Sequence, residues 1–148
     1  MKYLFDLSCP KIRYKLDPGA YKPNRAYPTD AGLDIFSPVE ETIWPRGHVT
    51  IDTGVHVEVP AGYYGFITSK SGLMAKDGIT SSGIIDASFR GTIKAVLFNH
   101  TNKVVHIKKG QKITQLIIQP CSLPELEEVE ELSETDRGSN GFGSTGMF

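Results

Sequence analysis

The clearest pattern in the chain is an alternation of apolar and polar residues near its middle. Polar or charged residues, among them Asp52, His56 and Glu58, lie between positions that are mostly β-branched. A period of two places successive side chains on opposite faces of a strand. Gly54 interrupts the run and marks a bulge or a turn. The pattern predicts a long strand with one face in a hydrophobic core, formed by Val49, Ile51, Thr53, Val55, Val57 and Val59.

Further runs of strand length follow, at residues 63–68, 93–99 and 113–119, and they are rich in β-branched and aromatic residues. Turn-forming residues separate them. The only helical candidate is short, at residues 72–76, and Gly78 would end it. Many short strands at regular spacing predict an all-β barrel or sandwich.

Size and charge narrow the class of protein. A chain of 148 residues is most simply one domain. A net charge of −1 argues against a nucleic-acid-binding surface. No apolar run approaches the ~20 residues of a membrane span, and Asp6 makes the first ten residues a poor secretory signal. We therefore expect an intracellular protein, cytoplasmic or nuclear, that binds neither nucleic acid nor membrane.

The most informative stretch lies near the end of the chain, at residues 137–146. It reads Arg-Gly-Ser-Asn-Gly-Phe-Gly-Ser-Thr-Gly, with four glycines but no apolar period. Glycines let backbone N–H groups approach phosphate oxygens, Arg137 adds a cationic fork, and Phe142 offers a flat face to a base. A disordered tail is the alternative that such composition usually indicates. A plain linker, however, needs neither the arginine nor the phenylalanine.

An acidic segment precedes this stretch. Residues 120–136 contain seven carboxylates and few large apolar side chains. The composition favours a solvated connector. Such a connector would carry the glycine-rich end away from its own core, to a neighbouring subunit.

Four other segments carry residues suited to a binding or catalytic site. Asp34 lies between apolar neighbours, on the polar face of a strand, as either a surface carboxylate or a ligand of hydrated Mg²⁺. The segment 69–74, which includes Ser71, begins the short helix as either an anion seat or a plain cap. Gln115 is either a satisfied core amide or a ligand contact.

The fourth segment, residues 83–91, has the pattern of a β-hairpin. Asp86 would stand at its tip beside Phe89, as either an ordinary turn aspartate or a general base. Lys94 follows on the return strand, where it would face the same pocket.

Together, in order and spacing, the five segments closely resemble the five motifs of the trimeric dUTPases, which hydrolyse dUTP to dUMP and pyrophosphate. The resemblance runs from Ala31 to Gly146. It implies a distorted β jelly-roll barrel at residues 1–122, an acidic connector at 123–136 and an arm at 137–148. The assembly would be a homotrimer in which each arm closes a neighbouring subunit's site. Such an enzyme limits uracil in DNA and supplies dUMP for thymidylate synthesis.

The resemblance also implies a role for each matched residue. Asp86 would deprotonate the water that attacks the α-phosphorus. Backbone groups of Gly83, Ile84 and Ile85 would bind uracil. Asp34 and Gln115 would bind water around a Mg²⁺ ion that the substrate phosphates hold. The other residues implied in substrate binding are Lys70, Ser71, Gly72, Thr80, Phe89, Lys94, Gln115, Arg137, Phe142, Gly143, Ser144 and Thr145.

Some positions depart from the family pattern. Lys70 stands where arginine is common, which gives a point charge in place of a bidentate fork. Phe89 replaces the more usual tyrosine and keeps the ring without its hydroxyl. Neither change removes the expected base, so activity is still expected.

Three alternatives stay open from the sequence. A dCTP deaminase of the same fold would need a glutamate in the strand after the hairpin, and residues 92–99 contain no acidic residue. A non-catalytic nucleotide-sensing regulator is a second alternative. A purely structural jelly-roll is the third, and it leaves residues 137–146 unexplained.

Overall fold

A computed structural model describes residues 10–148, and almost all regular structure in them is β-strand. One short helix, α1, spans Ser71–Asp77. The strands are β1 (Arg13–Leu16), β2 (Leu33–Phe36), β3 (Glu41–Ile43), β4 (His48–Glu58), β5 (Tyr63–Ser69), β6 (Ile79–Thr80), β7 (Ser82–Ile85), β8 (Thr92–Asn99), β9 (Val105–Ile107) and β10 (Lys112–Pro120). The predicted all-β architecture is confirmed.

The strands form two four-stranded sheets and one small ribbon. One sheet has the order β1-β4-β8-β6, the other the order β2-β10-β5-β7, and β3 pairs with β9. Every pairing is antiparallel. Neighbours in each sheet are mostly distant in sequence, so long connections carry the chain from one sheet to the other.

The long strand β4 confirms the alternation in the sequence. Ile51, Val55 and Val57 are buried, whereas Thr50 and Asp52 on the other face are exposed. The register with β8 shifts between Asp52 and His56, which places the predicted bulge around Gly54.

The backbone conformation and the close packing at position 54 both require glycine. Its φ of 66° lies in the left-handed region, and a Cβ there would lie 2.8 Å from the Cβ of Ala20. The Gly54 carbonyl accepts a hydrogen bond from the Asp17 backbone N–H at 2.8 Å. The bulge therefore fixes the loop that follows β1.

The core consists of two groups of buried aliphatic residues. The first lies between β4, β8 and the sheet that contains β10, and includes Val55, Ile67, Ile93 and Leu116. The second lies under α1, where Leu73 packs with Ile51, Leu97, Ile113 and their neighbours. The antiparallel pair β4 and β8 contributes to both groups, so it ties the two halves of the core together.

The predicted hairpin at residues 83–91 is wrong as a pairing of its own two strands. Strand β7 pairs with β5, whereas β8 pairs with β4 and β6. The segment instead crosses from one sheet to the other through a tight turn after β7. Local sequence could not reveal this, because turn residues between two apolar runs look the same in a hairpin and in a crossing between sheets.

Helix α1 ends as the sequence predicts. Gly78 adopts φ 63° and donates its N–H to the Met74 carbonyl, which gives a left-handed C-cap. No helix within residues 10–148 is long and apolar enough to cross a membrane.

Beyond β10 the chain has no helix or strand. Residues 122–148 are exposed throughout, and the ring of Phe142 has no protein cover. The last backbone hydrogen bond to the barrel runs from the Cys121 N–H to the Gly62 carbonyl, at 2.9 Å. The hydrogen bonds described for residues 122–148 all stay within that segment.

Burial predicts a large difference between two identical substitutions. Leu97→Ala removes a fully buried side chain from the core, whereas Leu132→Ala truncates a side chain that is 87% exposed. We expect the first to lower the free energy of unfolding by about 2–5 kcal/mol and the second by less than about 0.5 kcal/mol. Urea unfolding of both variants measures the difference, and equal losses would contradict the assignment of the core.

Candidate active site

Three of the predicted segments meet in one sheet. Asp34 on β2 lies directly opposite Gln115 on β10, and Gln115 lies opposite Thr68 on β5. Directly opposed residues in a sheet point to the same face. Lys70 follows the end of β5 and precedes α1. The antiparallel ladder therefore brings together side chains that are up to about eighty positions apart in the sequence.

Asp34 is the charged centre of this group. The residue is only 3% exposed, and its carboxylate accepts hydrogen bonds from Lys70 Nζ at 2.5 Å and Lys112 Nζ at 2.8 Å. Burial acts to raise the pKa of Asp34, but hydrogen bonds from Lys112 and Lys70 outweigh it and hold that pKa below its ordinary value. Two ammonium groups around one carboxylate leave a net charge of about +1, which suits an anionic ligand.

The surface alternative for Asp34 is therefore wrong. Alternation predicts that either Asp34 or Ile35 faces solvent, but both are buried. Ile35 packs in the core, while the two lysine side chains cover Asp34 on the opposite face. A period of two in a strand cannot show that a polar face is covered by charged partners from elsewhere in the chain.

A network of hydroxyl groups supports the turn into α1. The Ser69 hydroxyl accepts the Ser81 N–H at 2.9 Å and donates to the Ser81 carbonyl at 3.1 Å. The hydroxyls of Ser81 and Thr114 lie 2.6 Å apart, and Thr114 donates to the Thr68 carbonyl at 2.8 Å. Gln115 Nε2 donates to the Ser69 carbonyl at 2.9 Å. These bonds join β10, the end of β5 and the residue before β7 into one rigid unit.

Three residues of this group have no predicted role from the sequence. Lys112 supplies the second cation, and Ser81 and Thr114 supply hydroxyls beside Ser69, which belongs to the predicted segment 69–74. The available signal was a hydroxyl residue within or beside an otherwise apolar strand, since such a residue must find a partner when buried.

Gln115 is held over the backbone of Gly32. A Cβ at Gly32 would lie 2.1 Å from the Gln115 Oε1 atom. The amide donates to Ser69 through its nitrogen. Its oxygen accepts no hydrogen bond from the described residues, so it can still accept one from a ligand or water.

The start of α1 is open. Its N-cap is Lys70, and no side chain caps the helix. Ser71 and Gly72 are exposed, and a Cβ at Gly72 would contact nothing within 4 Å. Of the two alternatives for this turn, the plain side-chain cap is absent, and the first backbone N–H groups have no partner within the helix.

Strand β7 forms the edge of its sheet, in the order β2-β10-β5-β7. Gly83, Ile84 and Ile85 pair with β5 on one side only. The other side of their backbone is unpaired by residues 10–148, and the Ile84 side chain is 58% exposed. An edge strand presents a fixed row of donors and acceptors to a ligand or to another chain.

Asp86 follows β7 directly and is exposed. Its carbonyl accepts the Phe89 N–H at 3.1 Å, which closes a tight turn. Arg90 Nη1 donates to the carbonyls of Ala87 and Phe89, at 2.7 and 3.0 Å. The Phe89 ring covers Gly91, where a Cβ would lie 2.5 Å from the ring. The turn thus holds a carboxylate that has no hydrogen-bond partner among residues 10–148, beside an exposed aromatic face.

Two other predicted site residues have partners elsewhere. Lys94 lies on the exposed face of β8, opposite Asp52 on β4. The pKa of Asp52 is lowered mainly by a hydrogen bond from the Gly54 backbone N–H and to a smaller extent by the charge of Lys94. The Thr80 hydroxyl lies 2.6 Å from His100 Nε2. Within one chain, the structure does not join either residue to the Asp34 group. The same is true of the arm residues, all of which are exposed: Arg137, Phe142, Gly143, Ser144 and Thr145.

The chain itself offers few metal ligands. Within residues 10–148, no three histidine, cysteine or acidic side chains come close enough together to hold an ion. A metal at the Asp34 group would therefore depend largely on oxygen atoms that a ligand brings.

Comparisons with known proteins agree with this arrangement. A family model described as dUTPase matches residues 20–146. The deoxyuridine 5'-triphosphate nucleotidohydrolase of Fowl adenovirus A serotype 1 (strain CELO / Phelps) is 42% identical over 144 residues, which cover 96% of this chain and 81% of that protein.

Solved structures extend the agreement to the fold. The Staphylococcus bacteriophage 80alpha dUTPase with dUPNHPP superposes with a TM-score of 0.87 at 33% identity, covering 94% of this chain and all of the other. A mutant dUTPase of phage phi11 of S. aureus, described with a structural Mg(II) ion, superposes with a TM-score of 0.77 at 30% identity, covering 82% and 98%. The predicted jelly-roll fold is confirmed. With the family match across all five predicted segments, this chain belongs to the dUTPase family.

Proposed function

We propose that this protein is a dUTP diphosphatase that hydrolyses dUTP to dUMP and pyrophosphate. The observation that carries the proposal is the exposed Asp86 carboxylate, held by a tight turn at the end of an unpaired edge strand. An edge strand can read a base through its backbone, and a carboxylate fixed beside it can activate water. The relatives named for dUTP hydrolysis support the choice of substrate.

Uracil is recognised by the edge of β7. Gly83, Ile84 and Ile85 present their unpaired backbone groups to the donor and acceptor pattern of uracil. Cytosine inverts part of that pattern, so it leaves polar groups unpaired at a cost that favours uracil. Close approach of the backbone excludes the methyl group of thymine by steric clash. The Phe89 ring packs under the deoxyribose and leaves no space for a 2′-hydroxyl.

The phosphates bind where positive charge and free N–H groups coincide. Lys70, Ser71 and Gly72 form the turn into α1, and Lys112 lies on the same Asp34 carboxylate as Lys70. Because Asp34 holds both ammonium groups in place, the polyphosphate meets a preorganised charge. Lys94 and Thr80 contribute on the side of the base and sugar.

Mg²⁺ fits this group as an ion carried in by the phosphates. Asp34 supplies one carboxylate that two lysines already neutralise, and Gln115 supplies one amide oxygen without a described donor. That set suits contact with the water shell of Mg²⁺ better than direct ligation. When bound, the ion neutralises charge on the phosphate oxygens.

The chain's own residues then complete the reaction. Asp86 takes a proton from the water that attacks the α-phosphorus in line with the departing pyrophosphate. The braces from Arg90 to Ala87 and Phe89 keep that carboxylate in place. The result is dUMP, with the released proton held first on Asp86.

We infer a homotrimer with three shared sites. Asp86 and the turn into α1 lie at opposite ends of β7, since Thr68 opposes Ser82 whereas Gly65 opposes Ile85. Four residues of strand separate them by roughly 13 Å. A more compact binding site for one nucleotide forms if one subunit supplies the Asp34 group and a second subunit supplies the Asp86 turn.

A third subunit closes the site with its arm. This role accords with the proposed division into a barrel at residues 1–122, of which residues 1–9 lie outside the described part of the chain, an acidic connector at 123–136 and an arm at 137–148. Phe142 stacks on uracil, and Arg137, Gly143, Ser144 and Thr145 grip the γ-phosphate. Because the arm is exposed and lacks regular structure in the single chain, ordering it costs entropy that only the full triphosphate offsets.

The substrate also suggests where the protein works. Removing dUTP keeps uracil out of DNA, and its product supplies thymidylate synthesis, so we place the enzyme in the cytoplasm or the nucleus.

Substrate choice is tested by measuring pyrophosphate release from dUTP, dCTP, dTTP and UTP in parallel, with Mg²⁺ present. We expect dUTP to exceed each of the others by about 10²-fold or more in kcat/KM, because each rival loses a hydrogen bond or meets a clash. Ammonia release from dCTP would identify a deaminase instead. A protein that binds dUTP and leaves it intact would favour the regulator.

Removing the proposed base should separate binding from chemistry. Asp86→Asn keeps the shape of the side chain, so we expect kcat to fall about 10²–10⁴-fold while the Kd for a non-hydrolysable dUTP analogue stays within about threefold. Asp77→Asn, at an exposed aspartate at the end of α1, is the matched control and should keep full activity. Full turnover by Asp86→Asn would reject Asp86 as the base.

Removing the arm should also lower activity sharply without disturbing the assembly. A chain that ends at Asp136 loses the groups that close the site, so we expect kcat/KM to fall by about 10²-fold or more. Light scattering should show an unchanged trimer mass. If the shortened chain turns over dUTP at the full rate, the arm has no role in closure.

Co-expression of the two inactive chains tests whether sites are shared. In a mixed trimer, the Asp86→Asn chains keep the arm and the shortened chains keep Asp86. A site is complete when a shortened chain supplies its Asp86 turn and an Asp86→Asn chain supplies its arm. With random mixing in equal amounts, each of these two subunits is of the required kind in about half of the cases. About a quarter of the sites are then complete, so we expect about a quarter of wild-type activity. If turn and arm came from the same subunit, every mixed trimer would stay inactive.

A further inference from the structure

His56 on β4 uses both of its ring nitrogens in hydrogen bonds to acceptors. Nδ1 lies 2.7 Å from the backbone carbonyl oxygen of Arg90, and Nε2 lies 3.0 Å from the Asp17 carboxylate. A carbonyl oxygen and an ionised carboxylate cannot donate. Neutral imidazole has only one N–H group, so both bonds require the doubly protonated, cationic ring.

The Arg90 end of this connection belongs to the turn that carries Asp86. Arg90 donates to the carbonyls of Ala87 and Phe89, and Phe89 donates to the carbonyl of Asp86. A shift of the Arg90 backbone therefore moves the whole turn. His56 fixes that backbone from the neighbouring strand.

The Asp17 end is equally fixed. The Asp17 N–H donates to the carbonyl of Gly54, at the bulge of β4. Its carboxylate then reaches His56, which lies two positions beyond that bulge. The bulge thus anchors a chain of contacts that runs from Asp17 through His56 to the Arg90 carbonyl.

Other charged groups surround the ring. Lys15 lies directly opposite His56 on β1 and opposes its positive charge. Asp52 lies on the same strand, and its pKa is lowered partly by His56. Glu58 is occupied by Arg13 at 2.5 Å and lies 3.8 Å from the Arg90 guanidinium.

These surroundings favour the cation on balance. The hydrogen bond to the Arg90 carbonyl and then the bond to Asp17 raise the pKa of His56 above its ordinary value, against smaller opposing effects of burial and Lys15. A raised pKa means that these contacts are complete below about pH 6.5. They are lost as the pH rises through the higher pKa of the folded protein.

We propose that His56 is a positioning residue, whose cationic ring clamps the Arg90 carbonyl to Asp17 and so holds the turn that presents Asp86. The proposal rests on the proposed role of Asp86 as the base. When the ring is neutral, its one proton stays on the side of the charged Asp17, which makes the stronger bond. The unprotonated Nδ1 then faces the Arg90 carbonyl oxygen. Because both atoms are acceptors, the hydrogen bond is lost and the turn moves away from the ring.

Two substitutions separate the two contacts of the ring. In His56→Asn the amide nitrogen takes a position like that of Nδ1, so it can still donate to Arg90. In His56→Gln the amide nitrogen takes a position like that of Nε2, so it can donate only to Asp17. Each variant is uncharged and carries every other titrating group of the protein.

Steady-state kinetics from pH 6 to pH 9 provide the first readout. In the wild type we expect kcat to fall by about three- to tenfold as His56 deprotonates, with KM within about twofold. His56→Asn should keep the high value of kcat without this fall. His56→Gln should show the low value at every pH. Equal behaviour of the two variants would overturn the proposal.

Nitrogen NMR of the imidazole provides the second readout and needs no activity. We expect both His56 nitrogens to be protonated at pH 6, and the amide signals of Ala87 and Ser88 to shift with the same midpoint as the ring. A ring with one proton at pH 6, or amide signals of the turn that do not change as the ring titrates, would refute the clamp. If the NMR result holds while dUTP stays intact, the clamp stands and the proposed function fails.

Discussion

The site depends above all on the pairing of one buried carboxylate with two lysines. Without Lys70 and Lys112, burial would raise the pKa of Asp34, and without Asp34 the two lysines would repel each other. Their common origin is the sheet register, which sets β10 between β2 and β5. The same register places Gln115 and the hydroxyl network beneath the turn into α1. Packing of aliphatic residues thus fixes the positions of the strands, and these positions determine where the charged side chains lie.

Much of this could be predicted from the chain alone. The alternation in β4, the bulge at Gly54 and the helix stop at Gly78 all follow from local periodicity and glycine chemistry, and the structure confirms them. The resemblance found on five segments also led to the right fold and the right family. The roles of the individual site residues, however, rest on that resemblance and stay predictions.

The sequence alone could not show which distant strands pair with each other. Nothing local to residues 83–91 shows that β7 pairs with β5 and not with β8. Likewise, nothing near Asp34 announces that Lys112 would cover it from β10. Pairings of this kind depend on which apolar faces find each other across the whole core, so they appear only once the sheets are assembled. The two ring contacts of His56 are hidden for the same reason.

The unpaired edge of β7 has one more physical consequence. Exposed strand edges invite joining to the edge of another molecule, which is a common route to aggregation. Here the exposed edge is only four residues long and ends at the charged Asp86, and both features discourage such growth. The edge that the proposed function assigns to the nucleotide is thereby protected from self-association.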